Sequence, residues 1–238
     1  MYKAIIFDLD HTLLDYDRSE TDAMQLTIRQ HGLEQEERWT WERFRETFGP
    51  INWMYWSERN ERRLTIHQVL EYSFRDTFLR LEHSDADPSA LARTYWDHFC
   101  SLCHFEDGAR ELLGDLHGNR KLAVISNGIG EGQRRRTASG DILKLFDAFI
   151  VSDEVGYWKP DRNIFEIALS ELGAHRSEVL YVGDSLKDDY AGARAADIDF
   201  CLYNRSGTAL EEHVSPRYVV RRIGDIRSIA LGGAITAP

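Results

Sequence analysis

The feature that most constrains this chain is the segment at residues 3–13, an apolar run that stops on two aspartates, Asp8 and Asp10. The apolar run predicts a short buried strand. Because side chains two residues apart on an extended segment point to the same side, both carboxylates would face one small volume at the end of that strand. Two neighbouring carboxylates repel each other unless a cation or a bound proton relieves the repulsion. The spacing therefore indicates a metal site, an acid–base pair or both, and the alternative is a solvated loop or a capping aspartate.

The composition narrows the range of partners. Of the 238 residues, 42% are hydrophobic, which suffices for a full core. No apolar run approaches the ~20 residues that a membrane helix needs. The formal net charge is −11, and so acidic a chain is a poor partner for the phosphate backbone of a nucleic acid. We therefore expect no membrane and no nucleic-acid polymer as a partner, whereas a small phosphorylated metabolite would need positive charge from a metal ion or a lysine.

The cysteines and the first residues bear on the cellular compartment. Ile5 and Ile6 run directly into the aspartates, so no basic segment followed by a cleavable apolar stretch is visible at the start. Cysteines in a chain without such a signal are typical of a reducing compartment. We therefore expect a cytoplasmic protein. Cys100 and Cys103 form a C-x-x-C pair, but a second pair is absent, which favours free thiols over a zinc or redox site.

The hydrophobic pattern divides the chain into two regions. Residues 15–103 interleave charged residues with Leu, Phe, Trp and Tyr at helical spacing, which predicts a helical insert. The remainder, residues 1–14 and 104–238, alternates predicted helices with predicted strands, the latter at residues 121–126, 149–151, 179–182, 200–202 and 218–220. This alternation predicts right-handed crossovers and a parallel sheet with helices on both faces. We therefore expect an α/β fold, a Rossmann-like doubly wound sheet that carries an inserted helical bundle.

Polar side chains follow each of the main predicted strands. In a parallel sheet the carboxyl ends of the strands lie on one edge, where function collects. Besides Asp8 and Asp10, that edge would receive Ser126, Asn127, Lys159, Asp184, Asp188 and Asp189. Together these residues supply a nucleophile, several oxygen ligands for a metal, a hydroxyl donor and a fixed cation.

In this order the residues resemble the motifs of phosphatases in the haloacid dehalogenase-like (HAD) superfamily. The family pattern D-x-D-x-T appears at residues 8–12, its Ser or Thr as Ser126, its Lys as Lys159, and its acidic G-D motif from Gly183 onward. The helical insert also falls where the family places its cap domain, so the resemblance covers the whole chain. It implies a magnesium-dependent phosphomonoesterase with a HAD core at residues 1–14 and 104–238 and a cap at residues 15–103.

The resemblance also implies a role for each acidic residue. Asp8 would attack phosphorus to form an aspartyl-phosphate, and Asp10 would serve as general acid and then as general base. Mg²⁺ would be held by the carboxylates of Asp8 and Asp184 and by the backbone carbonyl of Asp10. Asp189 is expected to be the second acid of the last motif, with Asp188 as the alternative.

The remaining roles concern the phosphoryl group. The resemblance implies that Ser126 and the N–H of Asn127 bind phosphoryl oxygens, and that Lys159 neutralises charge between nucleophile and phosphate. The run of arginines at residues 134–136 also lies near this edge. There we expect a solvated helix face rather than a phosphate contact.

Within the superfamily, residues 7–13, 126–128 and 154–160 are similar to the pyrimidine 5′-nucleotidases that clear noncanonical nucleoside monophosphates. The alternative substrate is a small phosphorylated metabolite such as a sugar phosphate or phosphoglycolate, which the same core residues would serve. A phosphomutase and a non-catalytic binding protein stay open as alternatives. Haloacid dehalogenation is disfavoured because those relatives lack the second aspartate, present here as Asp10. No sequence feature specifies the oligomeric state.

An aromatic cluster stands out in the insert. It comprises Trp39, Trp41, Trp53, Tyr55 and Trp56. We expect most of these rings to form the core of a small helical bundle. The alternative is a lid surface on which a base or a sugar stacks.

Overall fold

The computed structural model describes residues 2–35, 40–82 and 86–232. The chain divides into two compact units, one formed by Met1–Arg18 with Cys103–Pro238 and the other by Ser19–Leu102. None of the helices in the described ranges has the length and apolar character needed to cross a membrane.

The two units differ in secondary structure. The strands are β1 (Ala4–Phe7), β2 (Lys121–Ser126), β3 (Ala148–Val151), β4 (Val179–Gly183), β5 (Asp199–Tyr203) and β6 (Tyr218–Val220). The helices are α1 (Tyr16–Gln30), α2 (Trp41–Arg62), α3 (Ile66–Arg80), α4 (Pro88–Ser101), α5 (Ala109–Leu116), α6 (Gly130–Ser139), α7 (Ser152–Val155), α8 (Arg162–Leu172), α9 (Ala191–Ala196) and α10 (Ile226–Leu231). All six strands belong to the first unit, and α2, α3 and α4 belong to the second.

The strands of the first unit form one parallel sheet in the order β3-β2-β1-β4-β5-β6. The central strand β1 pairs with β2 on one side and with β4 on the other, so that Phe7 lies opposite both Val124 and Val182. The direction in which the chain winds reverses at β1, and in sheets of this kind the ligand crevice lies at the carboxyl ends beside that reversal. The register therefore brings the residues that follow β1, β2 and β4 to one place.

Both faces of the sheet are covered by helices. Ile5 and Phe7 of β1 contribute to an apolar core with α5 and α10, whereas Ala4 and Ile6 contribute to a second core with α8 and α9. All four side chains are fully buried, because a strand between two helical layers exposes neither face. The predicted fold class, a doubly wound parallel α/β sheet with a helical insertion, is confirmed.

The helical unit is built around stacked aromatic rings. Ring centroids of Phe44 and Phe48 on α2 and of Phe74 and Phe78 on α3 lie 5.0 to 6.4 Å apart in their contacting pairs. The sequence pattern predicted a helical insert but not the bounds of α2, because Pro50 lies inside this helix and its apolar residues do not follow one clear stripe. Tertiary packing against α3 stabilises it instead.

The aromatic cluster of α2 is only partly a core. Tyr55 is 6% exposed and packs inside, but Trp53 is 67% exposed. Trp53 is therefore an exception to the expectation that most of these rings are core, since residues two apart on a helix point to opposite sides and Tyr55 occupies the inner one. Trp41 and Trp56 are half-buried, and Trp39 lies outside the described residues.

These positions predict a large loss of stability for one aromatic substitution and almost none for another. Phe74→Ala removes a fully buried ring and should lower the free energy of unfolding by about 3 to 5 kcal/mol. Trp53→Ala should change it by less than about 0.5 kcal/mol, because the ring is largely solvated already. Urea unfolding followed by circular dichroism measures both. Equal destabilisation by the two variants would contradict the assignment of Trp53 to the surface.

Candidate active site

The turn that follows β1 presents both aspartates of the sequence motif. The N–H of Asp8 donates to the carbonyl of Val182 over 2.8 Å, which keeps Asp8 in the sheet register. The chain then turns sharply: the N–H groups of Leu13 and Leu14 both donate to the carbonyl of Leu9, and His11 takes a left-handed φ of 62°. These backbone hydrogen bonds thus fix the positions from which the side chains of Asp8 and Asp10 extend.

The Asp8 carboxylate is paired with a buried lysine. Lys159 Nζ donates to Asp8 Oδ1, to Asp189 Oδ1 over 2.8 Å, and to the Tyr181 hydroxyl over 3.1 Å. Asp8 and Lys159 are each only 6% exposed. The ammonium is therefore held by three oxygens away from solvent, directly beside the first aspartate.

Asp189 is held in place by its surroundings. The Tyr181 hydroxyl donates to Asp189 Oδ1 over 2.6 Å, and the N–H of Ser185 donates to Oδ2 over 2.9 Å. Gly183 leaves room for the Asp189 carboxylate, because a Cβ at position 183 would lie 2.3 Å from Asp189 Oδ2. The N–H of Asp188 donates to the hydroxyl of Ser185 over 3.1 Å, and its carboxylate is not among the clustered ones that the described residues form. Of the two candidates for the second acid, the structure brings Asp189 to Asp8.

Three carboxylates gather around this point. Oxygen atoms of Asp8, Asp184 and Asp189 lie within 4.8 Å of one another. The Thr12 hydroxyl lies 3.3 Å from Asp8 Oδ2 and 3.4 Å from Asp184 Oδ1, between the two side chains. Three carboxylates face a single ammonium, which leaves an excess of negative charge.

The electrostatics reflect that excess. Burial raises the pKa of the Asp8 carboxyl well above its ordinary value against the opposing effect of Lys159, and Asp189 and Asp184 raise it further. Burial also raises the pKa of Asp184, with repulsion from Asp189 acting in the same direction. Burial disfavours the charged form of Lys159, but Asp189 and Asp8 outweigh it and raise the pKa of the ammonium. The lysine therefore stays protonated, while the carboxylates lack enough positive charge.

The donor set fits a hard divalent cation. Mg²⁺ is bound in proteins by a small number of carboxylate oxygens, with waters and substrate phosphate as further ligands. Asp8 and Asp184 offer such oxygens in a cluster that has too little positive charge. The oxygens of Asp189 already accept hydrogen bonds from Lys159, Tyr181 and Ser185.

Asp10 belongs to a different network. Its carboxylate accepts hydrogen bonds from Arg136, over 2.6 Å, and from Gln133, over 2.7 Å. The side chain of Asp10 is thus apart from the acidic cluster, although its backbone carbonyl remains the group that the sequence resemblance associates with a metal. The prediction of a solvated arginine face is wrong for Arg136, which is fully buried.

The sequence motifs missed Gln133 and Arg136. Arg134 and Arg135 do lie at the surface, paired with Glu154 and Glu131. Helical periodicity is the signal that separates them, because Gln133 and Arg136 are three residues apart and share the buried face of α6. A count of consecutive arginines could not show this.

The predicted phosphate-binding residues lie at the end of β2. Ser126 is buried, and its Oγ accepts a hydrogen bond from Gln133 Nε2 over 2.9 Å. The Asn127 side chain makes a reciprocal pair with the Lys159 backbone, donating to its carbonyl over 3.0 Å and accepting from its N–H over 2.8 Å. Asn127 therefore anchors the loop that delivers Lys159, a contact that the sequence did not predict.

The C-x-x-C pair forms no disulfide. Cys100, Cys103 and Cys201 form no disulfide in the described residues, as predicted. Burial raises the pKa of Cys103 to about 11 and that of Cys201 to about 12. Both thiols thus stay protonated at neutral pH, which disfavours a redox or metal-binding role.

The parallel sheet and its edge of carboxylates, lysine and serine define a hydrolase of the Rossmann-like α/β class. Residues 5–203 match the family of haloacid dehalogenase-like hydrolases, and the chain belongs to that family. The prediction of an enzyme of this superfamily is confirmed.

Two named relatives are similar to this chain over nearly its full length. The pyrimidine 5′-nucleotidase YjjG of Escherichia coli K12 is 28% identical over 94% of this chain and 96% of its own. The pyrimidine 5′-nucleotidase PynA of Streptococcus pneumoniae R6 is 27% identical over 94% of this chain and 93% of its own. The predicted resemblance to that branch of the superfamily is confirmed.

The fold has a solved counterpart of the same extent. The HAD-hydrolase YfnB of Bacillus subtilis, whose structure contains magnesium, superposes with a TM-score of 0.78. It is 23% identical and covers 96% of this chain and 98% of its own. The match extends over both units of the chain.

Proposed function

We propose that this protein is a magnesium-dependent phosphomonoesterase that acts through an aspartyl-phosphate, with pyrimidine nucleoside 5′-monophosphates as substrates. The observation that carries the proposal is the buried Asp8–Lys159 pair within an acidic cluster, with Asp10 close by in the chain but in a separate network. A nucleophile and a proton-transfer group need different surroundings, and these two aspartates have them.

The first chemical step uses the Asp8 side chain. Its carboxylate attacks phosphorus in line, the phosphorus–oxygen bond to the leaving group breaks, and Asp10 gives its proton to the departing oxygen. Lys159 neutralises charge between the carboxylate and the phosphoryl group. The Ser126 hydroxyl and the N–H of Asn127 hydrogen-bond the phosphoryl oxygens. In the second step, water attacks the aspartyl-phosphate, Asp10 accepts its proton, and inorganic phosphate leaves.

The carboxylates of Asp8 and Asp184, with the backbone carbonyl of Asp10, would hold the metal. A bound Mg²⁺ supplies positive charge that the cluster lacks and screens the repulsion between the nucleophile and a phosphate dianion. Asp189 keeps Lys159 oriented and would add a third carboxylate to the surroundings of the metal.

The proposed substrate class rests on the two nucleotidase relatives. Core residues contact only the phosphoryl group, so discrimination between substrates must come from groups that contact the leaving group. A pyrimidine base offers a flat aromatic face on which such a group can stack.

Replacement of the nucleophile tests the covalent mechanism. Asp8→Asn keeps the shape of the side chain but removes the attacking charge, so turnover should fall by several orders of magnitude with an unchanged circular dichroism spectrum. Acid-quenched wild-type protein should carry one phosphoryl group on Asp8 by mass spectrometry, and the variant none. Retention of even about a tenth of wild-type turnover by Asp8→Asn would rule out the covalent role.

Metal removal tests the role of the acidic cluster. Chelation should abolish turnover and added Mg²⁺ should restore it, while Ca²⁺, with longer and looser coordination, should support turnover poorly. Mg²⁺ should also raise the melting temperature of the wild type by mass action. Asp184→Asn should lose this shift, and the matched control Asp188→Asn should keep it. Full activity in excess chelator would remove the metal from the proposal.

A substrate panel tests the leaving-group specificity. Pyrimidine nucleoside monophosphates should show higher kcat/KM than sugar phosphates, since stacking contributes roughly 1 to 3 kcal/mol per base. A preference of roughly tenfold or more for sugar phosphates or phosphoglycolate would instead favour the small-metabolite alternative.

A further inference from the structure

The carboxylate of Asp10 is held at both oxygens by side chains outside the sequence motifs. Arg136 Nη1 donates to Oδ1, and Gln133 Nε2 donates to Oδ2. Arg136 Nη1 also donates to Gln133 Oε1 over 3.0 Å, so the three side chains close a ring of hydrogen bonds. The terminal torsion of an aspartate is otherwise broad, and this ring restricts it to one orientation.

We propose that Gln133 and Arg136 are positioning residues that hold Asp10 as the base for hydrolysis of the aspartyl-phosphate. The inference rests on the proposed function, because it needs that intermediate. Both contacts are donated to the carboxylate oxygens, so they fix the orientation of the group that accepts the proton from water. They hold Asp10 at the stage after it has protonated the leaving group and before it deprotonates water.

The side chains of Arg136, Gln133 and Asp10 differ in their exposure to solvent. Arg136 is 0% exposed and Gln133 is 4% exposed, whereas the Asp10 side chain is 22% exposed. The two donors therefore lie behind the carboxylate, which keeps access to solvent on its remaining side. Catalytic groups hold their geometry when the residues behind them are locked by packing, and this pair is packed inside the fold.

Gln133 also connects the base to the phosphate site. Its Nε2 donates to Ser126 Oγ as well as to Asp10, so the Ser126 hydroxyl keeps its own proton for a phosphoryl oxygen. One amide thus sets the distance between the group that binds phosphate and the group that activates water. Gly128 leaves room for this amide, because a Cβ there would lie 2.7 Å from Gln133 Nε2.

This geometry serves the hydrolysis step, in which water releases phosphate from Asp8. The water oxygen bonds to phosphorus as the phosphorus–oxygen bond to Asp8 breaks, which returns the Asp8 carboxylate. The water proton moves to Asp10, and inorganic phosphate is released. The protonated Asp10 is then the acid for the next substrate.

The test separates the two chemical steps with p-nitrophenyl phosphate, whose leaving group needs no protonation. Arg136→Lys should lower kcat by roughly tenfold or more and lower KM in parallel, which leaves kcat/KM nearly unchanged. Gln133→Met should lower kcat in the same way, but its kcat/KM should fall as well, because the amide also contacts Ser126. Phosphoenzyme on Asp8 should accumulate during turnover, as measured by acid quench and intact mass. Arg135→Gln is the matched control, since it removes an arginine from the surface of the same helix, and it should behave as wild type.

Other outcomes would contradict either the positioning role or the proposed function. A parallel fall in kcat and kcat/KM without phosphoenzyme, or no change at all, in either folded variant would overturn the positioning role. Failure of both variants to fold would show that the contacts are structural and would overturn it too. If wild-type protein never carries a phosphoryl group on Asp8, the proposed function itself fails, so the two failures are distinguishable.

Discussion

The ion pair between Asp8 and Lys159 is the interaction on which the rest of the site depends. A buried carboxylate and a buried ammonium are each costly in isolation, and their separation would leave both uncompensated. Neighbouring groups therefore hold the pair from all sides. Asn127 fixes the backbone that carries the lysine, while Asp189 and Tyr181 fix its ammonium. The sheet register then places the carboxylate at the reversal point of the fold.

The two aspartates of the first motif are close in the chain, but different groups contact their side chains. Asp8 lies with other carboxylates and a lysine, in a cluster with too little positive charge. Asp10, two residues further on, lies against the guanidinium of Arg136 and the amide of Gln133. One short strand end thus supplies two carboxyl groups with different electrostatic surroundings. This division is the physical basis for assigning nucleophilic attack to one and proton transfer to the other.

Most of the sheet was predictable because buried parallel strands leave a strong local signal. The apolar run before Asp8 and the alternation of strands with helices were sufficient for the fold class. The helical unit was harder, because α2 contains Pro50 and owes its stability to the rings of α3 rather than to its own pattern. Trp53 shows the same limit: composition places a tryptophan inside, but only the rotation of the helix decides that this one is exposed.

The sequence alone was sufficient to identify the fold class, the family, and the order of the acidic motifs, the lysine and the serine. These features are local, since each depends on residues close together in the chain and on the rule that strand ends share one edge. The choice between Asp188 and Asp189, and the burial of Arg136, depended on tertiary structure. A π-helical turn after β4 directs Asp189 to Lys159, and the packing of α6 turns Arg136 toward Asp10. Neighbouring residues of one type look equivalent in sequence, and only the direction in which the folded backbone points each side chain makes them different.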